Sequence, residues 1–177
     1  MRRRVAALLV VGSALLVAAV IWPTDTMVLQ SADGAVVPLL DIWLWGRVRS
    51  VSELSSTDLD GSLGVLVALV VAAILAVAAG VVWLRAVSDP GRGRRATVVA
   101  AVGVGAALVT ALLALGNTGT SFGWASPAGE PVFTRTVVAS FPVVALALWV
   151  VALAVMVVLV LRRRDGPGEE TGGASPA

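Results

Sequence analysis

The chain contains no cysteine, histidine or tyrosine, and all thirteen of its basic residues are arginine. Without cysteine there is no disulfide framework, no thiol redox pair and no thiolate metal site. Without histidine, the commonest general base and the commonest metal ligand are both missing. We therefore predict no catalytic residue, no metal site and no cofactor, and we expect the chain not to be an enzyme.

Charge is also scarce, since 14% of the residues are charged and 58% are hydrophobic. A soluble globular protein has about 25% charged and about 45 to 50% apolar residues. The excess lies in four apolar runs, each near the ~20 residues that a helix needs to cross a ~30 Å hydrocarbon layer. The composition predicts an all-α integral membrane protein, a bundle of four transmembrane helices. The runs are residues 5–22, 62–84, 96–116 and 137–161.

A cleaved signal peptide is the alternative interpretation of the first run. Its apolar region would span about 7 to 15 residues and end at a cleavage site of small residues. This run is longer and ends at Trp22, directly before Pro23, so we interpret it as a membrane span. The polar segments are an N-terminus (1–4), a first loop (23–61), a connector (85–95), a second loop (117–136) and a tail predicted to be disordered (162–177).

Arginine is distributed unevenly among the polar segments. Segments 1–4, 85–95 and 162–177 hold ten arginines, whereas loops 23–61 and 117–136 hold three. Because arginine-rich flanks stay in the cytoplasm, both termini and the connector are predicted to be cytoplasmic and both loops to lie outside. Nucleic-acid binding is the weaker explanation of the pI near 10.9, since the net charge is only +2. The arginines predicted to contact anionic lipids are Arg92, Arg94, Arg95, Arg162, Arg163 and Arg164.

Small residues recur at four-residue intervals in the second and third runs. Such a row lets another helix approach closely in lipid, so we expect these two helices to pack antiparallel through it. Alanine is abundant throughout the chain, and chance is therefore the alternative origin of the rows. The residues are Gly64, Ala68, Ala72, Ala76 and Gly80 in the second run, and Gly103, Ala107 and Ala111 in the third.

The first loop carries six carboxylates against two arginines, a net charge of −4. Residues 26–31 and 35–37 favour strands, and the Asp33-Gly34 pair between them favours a tight turn, so a small β-hairpin is predicted. Pro38 is expected to limit the second strand or to confine it to a sheet edge.

Trp43 and Trp45 are the most conspicuous residues of the first loop. Their spacing places both rings on one face of a strand, or side by side at the membrane interface. Two interpretations stay open. The rings either seat the loop on lipid headgroups, or form an exposed platform for a ligand or protein partner.

Carboxylates and a serine precede the second run. Asp58, Asp60 or Ser62 is expected to cap the free amides at the start of that helix. A divalent-metal site is the alternative, and two carboxylates without further ligands make a weak one.

Pro142 lies inside the fourth run, where it is expected to kink the helix and leave the carbonyl of Val138 without its helical partner. A gate at such a break would need polar neighbours, and the residues beside it are Ser140 and Phe141. The runs contain no Asp, Glu, Arg or Asn in their interiors, which argues against a proton-coupled carrier.

The first functional hypothesis is a non-enzymatic partner, scaffold or accessory subunit of a cell-envelope complex, with a membrane or envelope protein as its partner. The alternative is a component that binds or transports a lipid or another apolar molecule between the spans, near Pro142 and Trp149. The arginine-only basic set, with abundant alanine, valine and glycine, suggests the plasma membrane of a GC-rich bacterium.

Overall fold

The computed structural model describes residues 2–30, 35–53, 58–85, 90–116, 133–138 and 141–162. Within these residues, four helices are long and apolar enough to cross a membrane, which confirms the mostly helical prediction. The elements in chain order are α1 (Arg2–Ile21), β1 (Asp25–Gln30), β2 (Val36–Ile42), β3 (Val48–Ser50), α2 (Leu63–Arg85), α3 (Pro90–Gly116), β4 (Phe133–Val138) and α4 (Phe141–Arg162).

The helices form a bundle in which α1 contacts α2 and α4, and α3 contacts the same two helices. Gly80, near the end of α2, faces Leu9, near the start of α1, so these helices are antiparallel. Gly103 of α3 likewise packs directly against Ala79 of α2. A Cβ added at Gly103 would lie 3.2 Å from that of Ala79, so the small residue permits the approach.

A tryptophan of α4 fills the centre of the bundle. Trp149 is fully buried against Gly12, where an added Cβ would lie 2.7 Å from the indole. Its Nε1 donates a hydrogen bond to the carbonyl of Leu9 at 3.4 Å, and the Ser13 hydroxyl donates to the same carbonyl at 2.8 Å. The Ser13 hydroxyl also lies 3.3 Å from the carbonyl of Ala73. Hydrogen bonds at Leu9 and Ser13 therefore connect α1, α2 and α4.

A sheet covers one end of the bundle, with strand order β3-β2-β1-β4 and antiparallel pairing throughout. The strands β1 to β3 come from the first loop, and β4 adds beside β1. Asp25 pairs with Ile42 on one side and with Val138 on the other. Because β1 follows α1 and β4 precedes α4, the helix pair α1 and α4 continues into the strand pair β1 and β4.

The predicted hairpin exists, but its second strand is longer than expected. It runs through Pro38 to Ile42 instead of stopping near Val37, and β2 is an inner strand. Pro38 is accommodated because the register shifts beside it, and because β3 pairs only with residues 40–42. The proline therefore lies past the end of β3, where its missing N–H breaks no ladder with that strand. The predicted Asp33-Gly34 turn lies outside the described residues.

The start of the fourth helix differs from the prediction. Residues 137 and 138 belong to β4, and α4 begins at Phe141. Pro142 consequently lies in the first helical turn, where no intrahelical partner is lost, so the predicted kink was wrong. Similarly, α3 begins at Pro90, which makes residues 90–95 of the predicted connector helical.

Candidate functional site

The turn between β2 and β3 holds both loop tryptophans. The Trp43 amide donates to the Arg47 carbonyl at 2.8 Å, and the Gly46 amide donates to the Trp43 carbonyl at 2.9 Å. Gly46 has a φ of 84°, a conformation that a side chain would strain. Of the two predicted arrangements, the one on a single strand face was wrong, because Trp43 and Trp45 lie in this turn; the arrangement side by side at the membrane interface stays a prediction.

Both indoles are anchored to the end of α1. Nε1 of Trp43 donates to the carbonyl of Ile21 at 3.0 Å, and Nε1 of Trp45 donates to the carbonyl of Val20 at 3.1 Å. The last carbonyls of a helix have no intrahelical donor, so the two indoles act as a C-terminal cap. This contact fixes the sheet to the bundle.

The two rings also hold an arginine. The guanidinium carbon of Arg47 lies 5.3 Å from the Trp43 ring centroid and 5.9 Å from that of Trp45. These are cation–π distances. Gly61 packs so closely that an added Cβ would overlap the Trp45 ring and lie 2.7 Å from the Arg47 amide nitrogen.

A cleft of about 420 Å³ opens beside β3. Its polar lining consists of two arginines and two carboxylates, all exposed, and Val48 and Leu59 complete it. We call this the charged cleft; its charged residues are Arg47, Arg49, Asp58 and Asp60.

Of the residues predicted to cap α2, Ser62 caps the helix and Asp58 contacts β3. The amide of Val65 donates to the Ser62 hydroxyl at 3.4 Å, so Ser62 is the N-terminal cap. Asp58 instead accepts a hydrogen bond from the Ser50 amide at 2.8 Å, which ties it to β3. Among the described residues no group of three or more His, Cys, Asp or Glu side chains is placed to hold a metal ion.

A second groove, of about 500 Å³, lies between the start of α2 and the end of α3. It is lined by small and apolar residues together with two hydroxyls, and it lies near the sheet-side end of the bundle. The lining residues are Ser62, Gly64, Val65, Ala68, Thr110, Leu113 and Ala114.

The predicted small-residue row of α2 does not face one helix alone. Ala72 and Ala76 are fully buried, Gly80 faces α1, Ala68 is half-buried and Gly64 is exposed. Residues spaced four apart do not stay on one side of a helix, because four residues exceed one turn of 3.6 residues. Each successive member of the row is therefore rotated further around the helix axis. In α3, Ala107 and Ala111 are fully buried, and Gly103 contacts α2.

Four of the arginines predicted to contact lipid lie within the described helices, at the opposite end of the bundle from the sheet. Arg95 is exposed in the early part of α3, where Arg92 and Arg94 also lie. Arg162 is the last residue of α4. Arg163 and Arg164 fall outside the described residues.

The start of β2 is exposed and apolar. Val36 is 56% exposed, and Val37 and Pro38 are exposed beside it. By contrast, Leu39 and Leu40 are buried in a small core under the sheet. We call the exposed residues Val36, Val37 and Pro38 the hairpin tip.

Asp25 begins β1 directly above the end of α1. Burial raises the pKa of its carboxyl, and the hydrogen bond from the Thr24 hydroxyl, at 3.3 Å, acts in the opposite direction. Its position between β2 and β4 explains the burial.

Comparison with protein-family models gives no match for this chain, and comparison with curated proteins gives no relative. The fold itself therefore defines the class: a bundle of four long apolar helices with a sheet at one end.

Proposed function

We propose that the chain is a multi-pass plasma-membrane protein with four crossings, cytoplasmic termini and an outer sheet. The arginine distribution supports this orientation, since the sheet end carries the acidic first loop. Exposed apolar side chains on the helices support insertion, because lipid would cover residues such as Ile74 and Leu113.

Within the membrane, the protein acts as a non-enzymatic partner or accessory subunit of an envelope complex. The observation that carries this proposal is the hairpin tip, an exposed apolar patch on a sheet that two tryptophans fix to α1. Exposed apolar patches on rigid elements are typical of protein interaction sites.

The position of the hairpin tip favours a protein partner over lipid. Asp25 and Ile42, the paired strand ends, adjoin α1, whereas Gln30 and Val36 form the far end of the hairpin. At about 3.3 Å per residue, six residues of strand separate the two ends by roughly 17 Å. The tip therefore extends away from the helices that would occupy the bilayer.

Photocrosslinking in the native membrane tests the proposal. A photoreactive residue at Val37 is expected to capture one protein in stoichiometric yield, and the same group at Val71, exposed on the middle of α2, is expected to capture lipid. Lipid alone at both positions would contradict a docking role for the sheet.

The second candidate function is binding of a lipid or another apolar molecule, and the groove between α2 and α3 favours it. The site near Pro142 and Trp149 stays a prediction; both residues are buried in the bundle. Ala68→Phe would fill the groove, whereas Ala78→Phe would project from an exposed position of the same helix. Loss of co-purified apolar ligand in the first variant only is the result that this candidate predicts.

A further inference from the structure

The charged cleft has a regular arrangement of charge. Val48 and Leu59 form an antiparallel bridge in which each amide donates to the other carbonyl at 3.0 Å. Residues on either side of such a pair face each other, so Arg47 lies opposite Asp60 and Arg49 opposite Asp58. Because side chains alternate along extended chains, the residues that flank Val48 and Leu59 share one face, and all four line the same cleft.

The cleft is level with the sheet-side ends of two helices. The Ser62 amide, at the cap of α2, donates to the carbonyl of Trp45 at 2.9 Å. The indole of Trp45 in turn bonds to Val20 in the last turn of α1. If these helices span a bilayer, as proposed above, the cleft lies at the depth of the lipid headgroups.

Two of the four charged groups are held in place by neighbours. Arg47 lies over the rings of Trp43 and Trp45, and Asp58 is fixed by the hydrogen bond from Ser50. Groups fixed in advance lose less conformational entropy when a ligand binds. The cleft is therefore a partly preorganised pair of cationic and anionic subsites.

We propose that the charged cleft binds a phosphoethanolamine headgroup, a phosphate ester that carries a primary ammonium two carbons away. Arginine is the side chain best suited to phosphate oxygens, because its planar fork donates two parallel hydrogen bonds. Arg47 and Arg49 take the phosphate, and Asp58 and Asp60 accept hydrogen bonds from the ammonium. This assignment rests on the membrane insertion proposed above.

A purely structural role is the competing explanation, since opposite charges facing each other across two strands stabilise their pairing. The two roles differ in headgroup selectivity. A binding site distinguishes a primary ammonium from choline, which has no N–H donor, and from glycerol, which has no cation. If the charged pairs only stabilise the strands, replacing them changes the stability of the fold, and lipid binding shows no headgroup selectivity.

The test uses the purified full-length chain and short-chain phospholipids that share one acyl composition, with the intrinsic tryptophan fluorescence, to which Trp43 and Trp45 contribute, as the readout. We expect phosphatidylethanolamine to bind about tenfold more tightly than phosphatidylcholine or phosphatidylglycerol, the effect of one charge-assisted hydrogen bond. Arg49→Gln is expected to weaken that binding about tenfold. Asp60→Asn is expected to weaken the binding of phosphatidylethanolamine to the affinity found for phosphatidylglycerol.

Arg85→Gln and Glu53→Gln are the matched controls, because both residues are exposed and neither lines the cleft. Glycerophosphoethanolamine should compete for the site more strongly than inorganic phosphate, because only the former offers an ammonium to the carboxylates. Equal competition by the two compounds would mean that the carboxylates take no part, and the assignment fails. Equal binding of the three lipids, unchanged affinity in Arg49→Gln, or unchanged selectivity in Asp60→Asn would also overturn it.

These outcomes are independent of the hairpin tip. Crosslinking at Val37 reports the protein partner and does not involve the charged cleft. Loss of headgroup selectivity with crosslinking intact overturns the cleft alone, and the reverse result overturns the docking role alone.

Discussion

At the scale of single residues, Trp43 and Trp45 connect the sheet to the bundle through their indole nitrogens. Their spacing in the sequence indicated an unusual pair but not this role. The acceptors, Val20 and Ile21, precede the tryptophans by more than twenty residues, and no local periodicity links an indole to a distant helix end. The contact of Gly61 with Trp45 could not be predicted from the sequence either, since only the folded turn brings the two residues together.

Replacement of Trp45 by phenylalanine tests the cap. Trp45→Phe leaves the carbonyl of Val20 without its indole donor and is expected to lower the free energy of unfolding by about 1 to 3 kcal/mol. Trp22→Phe is the control, because that ring is 60% exposed. Thermal unfolding of the two variants in one detergent provides the comparison, and equal melting temperatures would contradict the capping role.

A methyl group at Gly61 tests the tight packing of the turn. Gly61→Ala would force the new Cβ into the Trp45 ring and is expected to destabilise the fold by about 1 to 3 kcal/mol, as overpacking does. Gly105→Ala adds the same methyl group to α3 where nothing lies within 4 Å, so its effect should be small. Retained stability in Gly61→Ala would mean that the Trp45 ring is free to move aside.

Asp25 makes stability depend on pH. Its carboxyl holds a proton to higher pH when folded than the ordinary value of 3.8. Between these two pKa values the folded state binds more protons than the unfolded chain, so stability falls as pH rises through that window. Asp25→Asn should weaken this fall, and Glu53→Gln, an exposed control, should preserve it. Melting temperatures across the acid range measure both, and identical pH profiles for Asp25→Asn and the unmodified protein would contradict the assignment.

At the scale of elements, the four apolar runs predicted the four helices because run length alone separates a long apolar helix from a strand. The start of α4 was harder to predict from the sequence than the existence of the helix. Valine is equally apolar in a strand or a helix, so the run could not reveal that residues 137 and 138 belong to β4. The whole segment Phe133–Val138 is nevertheless rich in Thr and Val, a composition that favours a strand.

Helix packing is tested by enlarging a buried alanine of α2. Ala72 is fully buried, so Ala72→Ile is expected to cost about 1 to 3 kcal/mol through overpacking. Ala78→Ile makes the same change at an exposed position of the same helix and should have little effect. Unfolding in a denaturing detergent series, followed by tryptophan fluorescence, compares the variants. Unchanged stability of Ala72→Ile would remove the case for close packing at this position.

At the scale of the whole molecule, segments distant in the chain are brought together. Asp25 pairs with Val138, and Gly12 packs against Trp149, so the first and last helices and their adjoining strands run side by side. The charged cleft has the same origin. The alternation of Arg47 and Arg49, and of Asp58 and Asp60, is visible in the sequence, but only the Val48–Leu59 bridge places the two pairs opposite each other.

Single-cysteine labelling can show whether the helices span a membrane with the sheet outside. The chain has no cysteine, so Glu53→Cys on the sheet side and Arg95→Cys at the other end each introduce one reactive thiol at an exposed position. With a membrane-impermeant maleimide, we expect Glu53→Cys to be labelled in intact cells and Arg95→Cys only after permeabilisation. Labelling of Arg95→Cys in intact cells, or protection of Glu53→Cys, would contradict this topology.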